Sequence, residues 1–349
     1  MCGIAGFLHP EGHRREEAAA TLREMTRTLV HRGPDSEGFF LDAHAGLGHT
    51  RLAIVDRDGG AQPMANAAGT VHVVFNGEIY NDPELRPELE GRGHRFRTGS
   101  DTEVIVHAWE EWGPACVEHL DGMFALALWD GPRRCLFLAR DRFGKKPLHY
   151  AALAGGGIVF ASELKALDRH PGIDRDVDLE ALSDYLSLGY VPREKTIFRG
   201  VRKLLPAHTL LVEGGRRTLR SYWDLSFAPA AARRDDGERL RAELERAVRI
   251  RLRSDVPVGA FLSGGLDSST VVALMTGAGC SGLPTTVLGF AEAEWDERPF
   301  ARAVAQRFGT CHRDEAVGPD ALQRIDTLAA AFDEPFADES SMPTYLVCA

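Results

Sequence analysis

Residues 256–269 read Val-Pro-Val-Gly-Ala-Phe-Leu-Ser-Gly-Gly-Leu-Asp-Ser-Ser. The apolar run at 256–262 predicts a buried strand, and a helical pattern over 267–275 follows the glycine pair. A second strand at 285–290 and a second helix at 298–308 repeat that order. Because strands that alternate with helices form parallel, doubly wound sheets, this part of the chain predicts an α/β domain.

The turn at 263–269 has the chemistry of an anion-binding loop. Its glycines let backbone N–H groups approach a phosphate closely, and the helix N-terminus adds the positive end of its dipole. Asp267 is a candidate ligand for Mg²⁺ on the phosphates. The segment lacks the ending of a Walker A loop and resembles the SGGxDS loop of ATP pyrophosphatases, which cleave ATP to AMP. The alternative is a Gly-Gly turn with a Ser/Asp helix cap.

The N-terminal part of the chain is rich in short strand signals and glycine turns. Apolar runs at 71–75, 123–129 and 135–139 predict strands, and the last two predict a hairpin. Helical patterns are interspersed with these runs, which indicates sheets covered by helices. The helical patterns lie at 16–30, 102–112 and 179–187.

A change of composition divides the chain. At 349 residues it is long enough for two domains, and the stretch 228–237 has no periodicity and is typical of a linker. We predict an N-terminal domain at 1–214, a linker at 215–236 and the α/β domain at 237–349.

The bulk properties exclude several classes of protein. A formal net charge of −10 is not that of a nucleic-acid binder. The sequence has no apolar run long enough to span a membrane and no signal peptide. Its six cysteines show neither disulfide nor zinc-site spacing, so we expect a reducing, cytoplasmic setting.

The chain begins Met1-Cys2-Gly3, which predicts an N-terminal nucleophile. Met1 is normally removable when the second residue is small. Cys2 would then carry a thiol beside its own free α-amine, and an amine with a pKa near 8 can accept the thiol proton.

Five further residues fit a pocket for a zwitterionic amino acid. Asn76 and Gly77 offer an amide and a backbone N–H for an oxyanion hole. Arg51 is a candidate partner for a substrate carboxylate, while Glu78 and Asp101 are candidates for a substrate ammonium group. Each also has a plain structural explanation: Asn-Gly as a hairpin turn, Asp101 as a helix cap and Arg51 as a surface residue.

Taken together, the motifs resemble those of class II glutamine amidotransferases and, more narrowly, of glutamine-hydrolysing asparagine synthetases. The resemblance extends in order over essentially the whole chain. The segments that carry it are CGIAG at 2–6, HRGPD at 31–35, RLAIVD at 51–56, NGEIYN at 76–81, SD at 100–101, RDRFGKKPL at 140–148, FASELKAL at 160–167, GYVP at 189–192, TIF at 196–198 and SGGLDSS at 263–269.

The resemblance implies a fold and two sites. It implies an N-terminal-nucleophile αββα sandwich with a glutaminase site, and the start of an ATP-pyrophosphatase domain that binds ATP and Mg²⁺ and adenylates aspartate. In the family, an internal channel carries ammonia from one site to the other. The implied catalytic residues are Cys2, Asn76 and Gly77; the implied glutamine-binding residues are Arg51, Leu52, Ala53, Ile54, Val55, Asn76, Gly77, Glu78 and Asp101. The implied ATP-binding residues are Phe261, Leu262, Ser263, Gly264, Gly265, Asp267, Ser268 and Leu288, with Asp267 as the metal ligand.

The implied reaction is the ATP-dependent amidation of L-aspartate to L-asparagine through β-aspartyl-AMP, with ammonia from glutamine. The expected partners are therefore glutamine, aspartate and ATP, with no nucleic acid or membrane; a homodimer stays open. Family members continue past Ala349 with a Ser-Gly-x-Gly-x-Asp-Glu signature, so we expect this chain to be a fragment or an interrupted gene product that retains only the glutaminase half. The alternatives are a relative that amidates another carboxylate, a ring-closing relative, which Cys2 disfavours, and a non-catalytic remnant.

Overall fold

The N-terminal part of the chain forms two antiparallel sheets with helices on their outer faces. In a computed structural model, which describes residues 1–227, 235–318 and 324–348, its helices are α1 (Arg15–Arg27), α2 (Asp82–Gly91), α3 (Asp101–Trp112), α4 (Cys116–His119), α5 (Leu164–Leu167) and α6 (Leu179–Leu188). Its strands are β1 (Gly3–Leu8), β2 (Ser36–Leu41), β3 (Ala45–Arg51), β4 (Met64–Ala65), β5 (Val71–Ile79), β6 (Gly122–Asp130), β7 (Cys135–Arg140), β8 (His149–Ala152), β9 (Ile158–Ala161), β10 (Val201–Lys203), β11 (His208–Glu213) and β12 (Arg216–Ser221).

The first sheet has β1 near its centre, and the second has β5 next to its short edge strand β4. The described residues give one six-stranded sheet in the order β10-β8-β9-β1-β3-β2 and a second in the order β12-β11-β7-β6-β5-β4. β1 is paired on both edges, with β3 and β9, and β5 pairs along its length with β6. The predicted hairpin at 123–139 is confirmed by the pairing of β6 with β7.

Three apolar layers hold these elements together. Ile4, Val74 and Phe160 lie in the layer between the two sheets. A second layer joins the first sheet to α1, and a third joins the second sheet to α2 and α3. Helix, sheet, sheet and helix therefore stack in that order, which confirms the predicted αββα sandwich.

One local prediction about this sandwich is wrong. The strand predicted at 71–75 continues to Ile79, so Asn76-Gly77 lies inside β5 and not at a hairpin turn. Pairing decides this: Gly77 lies opposite Phe124 of β6, and a Cβ at Gly77 would lie 2.0 Å from the Met123 carbonyl oxygen. Only glycine permits this close approach of the two strands.

The C-terminal part of the chain forms a parallel sheet. Its elements are α7 (Asp236–Arg249), β13 (Ala260–Phe261), α8 (Leu266–Gly277), β14 (Pro284–Gly289), α9 (Arg298–Phe308), β15 (Cys311–Ala316), α10 (Ile325–Ala331) and α11 (Ser341–Cys348). β13, β14 and β15 pair in parallel in that order, which confirms the predicted α/β arrangement. Leu262, Val272, Val287 and Ala301 form its core.

The buried strand predicted at 256–262 is shorter than expected. Only Ala260–Phe261 is strand, and the Phe261 side chain is 60% exposed. Pro257 has no N–H to donate to a neighbouring strand, which limits pairing at the start of the run.

The structure divides the chain into two compact units. The first comprises Met1–Ser226 with Asp333–Phe336, and the second comprises Phe227–Phe332 with Ala337–Ala349, where described. The segment predicted as a linker, 215–236, includes β12, which pairs with β11 in the first unit, and its residues 228–234 lie outside the described residues. No helix in the described part of the chain has the length and hydropathy of a membrane span.

Candidate active site

A pocket opens beside Cys2, at the start of β1. The Cys2 Sγ lies 3.4 Å from the Leu52 backbone N–H, which donates to it. Burial raises the pKa of the Cys2 thiol, and the hydrogen bond with Leu52 and the charge of Arg51 only partly offset this. The thiol therefore needs a proton acceptor. Burial also lowers the pKa of the Met1 α-amine, so the start of the chain favours a neutral amine.

Arg51, the last residue of β3, forms one wall of this pocket. Its side chain is buried, and its guanidinium donates to three backbone carbonyls of the following loop: Arg57 at 2.7 Å, Asp56 at 2.6 Å and Val55 at 3.3 Å. Among the described residues it forms no ion pair. A buried cation held by neutral carbonyls alone is suited to an incoming carboxylate.

Asn76 and Gly77 face the same pocket from β5. Asn76 is 1% exposed, and its side-chain Nδ2 makes no hydrogen bond with any described residue. A buried amide donor without a partner is costly unless a ligand uses it. This donor, which lines the pocket with Cys2, suits the developing negative charge of an oxyanion.

The opposite charge in the pocket comes from Asp101 and Glu78. Asp101 begins α3, which Ser100 caps through a bond to the Thr102 N–H, and its buried carboxylate accepts from the Ile79 N–H at 2.8 Å. Asp101 is thus the first residue of α3 and lines the pocket, while the helix cap is Ser100 and not Asp101. With Arg51 it provides a charge for each end of an α-amino acid.

The loop that follows Arg51 contributes unequally to the pocket. Leu52, Ile54 and Val55 line it, whereas Ala53 does not, and its N–H instead donates to the Asp35 carboxylate at 2.8 Å. The structure therefore brings together eight of the nine predicted glutamine-binding residues, all except Ala53. The full lining is Met1, Cys2, Arg51, Leu52, Ile54, Val55, Gly60, Gln62, Phe75, Asn76, Gly77, Glu78, Ser100, Asp101, Thr102, Met123 and Lys146.

The predicted phosphate loop lies in the second unit, between β13 and α8. Gly264 has φ +84°, and a Cβ there would lie 2.5 Å from the Phe300 carbonyl carbon, so only glycine fits. The Ser263 and Ser268 hydroxyls lie 3.0 Å apart, and the buried Ser269 Oγ makes no hydrogen bond with any described residue. The Ser263 and Ser268 hydroxyls therefore meet at the first turn of α8. Leu262 is in the core and Leu288 is half-buried on β14.

These observations fit an ATP phosphate, and with it Mg²⁺. Asp267 is exposed in the first turn of α8 and is the acidic residue of the loop. Mg²⁺ is usually held by one or two carboxylates together with substrate phosphates, so a single carboxylate fits a metal that arrives with the nucleotide.

Comparison with known proteins assigns each of the two parts of the chain to a family. The glutamine amidotransferase domain family matches residues 1–223, and the asparagine synthase family matches residues 239–349. Asparagine synthetase [glutamine-hydrolyzing] 1 of Bacillus subtilis is 36% identical over 99% of this chain and 55% of its own length. A putative asparagine synthetase [glutamine-hydrolyzing] 2 of Methanocaldococcus jannaschii is 36% identical over 99% of this chain and 71% of its own length.

The chain belongs to the glutamine-hydrolysing asparagine synthetase family. A further relative, asparagine synthetase [glutamine-hydrolyzing] 3 of Bacillus subtilis, is 39% identical over 89% of this chain and 53% of its own length. The chain spans about half the length of these Bacillus subtilis members of the family.

A second group of residues supports the backbone of Cys2. The Arg32 Nε donates to the Cys2 carbonyl oxygen at 3.0 Å, and its Nη1 pairs with Glu163 at 2.5 Å. His31 is half exposed and also pairs with Glu163. Since Arg32 and Glu163 are distant in sequence, only their shared place in family motifs could have suggested this pair. It fixes the backbone that carries the thiol.

Proposed function

We propose that this chain hydrolyses glutamine at Cys2, as the ammonia-producing step of its family. One observation carries the proposal: the half-buried Cys2 thiol, a buried amide donor at Asn76 without a partner among the described residues, and the opposite charges of Arg51 and Asp101 line one pocket. These groups match the four polar parts of glutamine: the reacting carbonyl carbon, its oxygen, the α-carboxylate and the α-ammonium.

The proposed reaction uses a covalent thioester. With Met1 removed, the α-amine of Cys2 takes the thiol proton, and the thiolate attacks the side-chain amide carbon of glutamine. Asn76 Nδ2 and the Gly77 N–H stabilise the resulting oxyanion. The C–N bond then breaks, and the protonated α-amine gives its proton to the departing nitrogen as ammonia. Water cleaves the thioester and releases glutamate.

We propose that the 263–269 loop serves the second step of the same family, the activation of aspartate by ATP. The hydroxyls of Ser263 and Ser268 and the first turn of α8 would hold the phosphates, and Asp267 would hold Mg²⁺, which neutralises phosphate charge when bound. The product in the matched relatives is asparagine by their names, which supports aspartate as the acceptor. A working Cys2 thiol also favours a reducing, cytoplasmic setting.

A glutaminase assay with paired variants tests the proposal. We expect the purified chain to release glutamate from glutamine, and Asn76→Ala to lower kcat by about 10²–10³-fold, the usual effect of losing one oxyanion donor. Asn81→Ala is the matched control, because the Asn81 amide is bonded to the His119 carbonyl and the Asp121 N–H, outside the pocket. Absence of glutamate release by the folded chain would favour a non-catalytic remnant instead.

A further inference from the structure

Two histidines and a glutamate meet on the outer side of the second sheet, away from the residues of the Cys2 pocket. His107 and Glu110 lie one turn apart on α3, and His94 follows the end of α2. We propose that these three side chains form a binding site for a divalent transition metal, with Zn²⁺ as the ion that fits best. This inference does not depend on the proposed function.

The three ligand atoms lie within 4.8 Å of one another, close enough to converge on one ion. The Glu110 Oε2 lies 3.0 Å from His107 Nδ1 and 3.5 Å from His94 Nδ1. Atoms bound tetrahedrally to one Zn²⁺ at about 2.0–2.1 Å lie roughly 3.3 Å from one another. Two imidazole nitrogens and one carboxylate oxygen are a known ligand set for Zn²⁺ in proteins, with water in the fourth position.

Each histidine is also backed by a second carboxylate. The other ring nitrogen of His94, Nε2, lies 3.3 Å from Glu111 Oε2, and that of His107 lies 3.7 Å from Glu103 Oε1. A histidine bound to a metal usually donates its remaining N–H to such a carboxylate, which fixes the ring and its tautomer. Both rings therefore present Nδ1 to Glu110 Oε2; the Nε2 of His94 is hydrogen-bonded to Glu111, and the Nε2 of His107 lies near Glu103 without a hydrogen bond.

The carboxylates are held in place by groups that leave the ligand atom accessible. Asn66 donates to Oε1 of Glu110 at 2.8 Å, which leaves Oε2 facing the histidines. Glu103 accepts from the Thr98 hydroxyl at 2.6 Å and from the Arg97 backbone N–H at 2.9 Å. The site is thus ordered before any ion binds.

A simple ion-pair network explains the cluster less well. The His107 side chain is 7% exposed, and its Nε2 makes no hydrogen bond with any described residue. A metal on Nδ1 would fix the proton on Nε2, toward Glu103. Glu111 is paired with Arg92 and Glu103 lies near Arg97, so among the described residues Glu110 is the carboxylate of the cluster that faces only the two histidines and the Asn66 amide.

A metal here would link α3 to the loop that follows α2. Because α3 begins with Asp101 and Thr102, which line the Cys2 pocket, the ion would stabilise the helix that supplies them. We therefore expect a structural ion, whose loss lowers thermal stability.

Direct metal binding tests the site. Titration calorimetry with Zn²⁺, in a Cys2→Ala background so that the pocket thiol cannot bind the ion, should give one site per chain. Glu110→Gln, a change at an exposed side chain, should weaken binding by at least about 100-fold, and Glu111→Gln by about 10–100-fold, as expected for a supporting carboxylate. Glu118→Gln with His119→Gln, on exposed side chains outside the cluster, should bind Zn²⁺ normally and serve as the control.

A second readout separates binding from folding defects. In the NMR spectrum, Zn²⁺ should shift the Nδ1 resonances of His94 and His107 and leave those of His119 in place, and it should raise the melting temperature. The proposal is overturned if the ring nitrogens do not respond to Zn²⁺, or if Glu110→Gln binds Zn²⁺ as tightly as the control.

Discussion

Asp101 carries the clearest single-residue prediction for the Cys2 pocket. Asp101→Asn keeps an oxygen that can accept from the Ile79 N–H but removes the negative charge. If this charge pairs with the substrate ammonium, KM for glutamine should rise by the equivalent of about 2–5 kcal/mol, the cost of unpairing a buried charge. Asp58→Asn, an exposed carboxylate on the neighbouring loop, is the control. Equal KM values for the two variants in steady-state assays would reject the assignment.

At the scale of elements, the cap of α3 links stability to substrate binding. Ser100 Oγ accepts from the Thr102 N–H, and Asp178 caps α6 in the same way through the Glu180 and Ala181 N–H groups. Ser100→Ala and Asp178→Ala should each lower the free energy of unfolding by about 1 kcal/mol, as measured by urea denaturation. Only Ser100→Ala should also raise KM for glutamine, because α3 alone supplies Asp101. If KM for glutamine rose in both variants, the rise would reflect the loss of overall fold stability and not the position of Asp101.

The phosphate loop gives a second prediction at this scale. Gly264→Ala places a Cβ 2.5 Å from the Phe300 backbone at a positive φ, so the loop must move and ATP binding should be lost. Gly277→Ala is the matched control, because nothing lies within 4 Å of its added Cβ, and it should bind ATP normally. Equilibrium binding of ATP measures both; normal binding by Gly264→Ala would remove this loop from the nucleotide site.

The elements that the sequence predicts well are those with strong local signals. The hairpin at 123–139 and helix α9 follow from apolar periodicity and turn residues, and the structure has them. The end of β5 could not be predicted, because Asn-Gly is a local turn signal and only the pairing of Gly77 with Phe124 overrides it.

The site residues also divide into those that the sequence indicates and those that depend on tertiary contacts. Cys2 and Arg51 stand in family motifs, so the sequence indicates them. The unpaired state of Asn76 Nδ2 and the reach of Arg32 to the Cys2 carbonyl depend on tertiary contacts, and no spacing in the sequence encodes them. The histidine–glutamate cluster could not be predicted from spacing in the sequence, because His94 follows α2 whereas His107 lies on α3.

At the scale of the whole molecule, acid should destabilise the fold through His49. Burial lowers the pKa of His49 to about 3, although a hydrogen bond to the Phe75 carbonyl opposes this. An unfolded histidine has a pKa near 6.5, so between these values the unfolded chain binds more protons and stability falls as pH falls. We expect the protonation of His49 to lower the free energy of unfolding by about 1.4 kcal/mol per pH unit below pH 6.5.

Denaturation at pH 7 and pH 5 measures this effect. His49→Gln, which keeps a donor for the Phe75 carbonyl, should show a smaller loss of stability between the two pH values than the parent chain. His119→Gln, an exposed histidine, should leave the loss unchanged. An identical pH dependence in His49→Gln would show that His49 is not the acid-sensitive group.

The role of Cys2 as the N-terminal nucleophile is tested most directly by mass spectrometry of the intact chain during exposure to a glutamine-like electrophile. We expect a chain that has lost Met1 and carries one adduct, located on Cys2, and we expect excess glutamine to protect it. Cys311→Ala, which removes an exposed thiol, should label normally, and Cys2→Ala should neither label nor release glutamate from glutamine. Undiminished glutamate release by Cys2→Ala would show that Cys2 is not the nucleophile that hydrolyses glutamine.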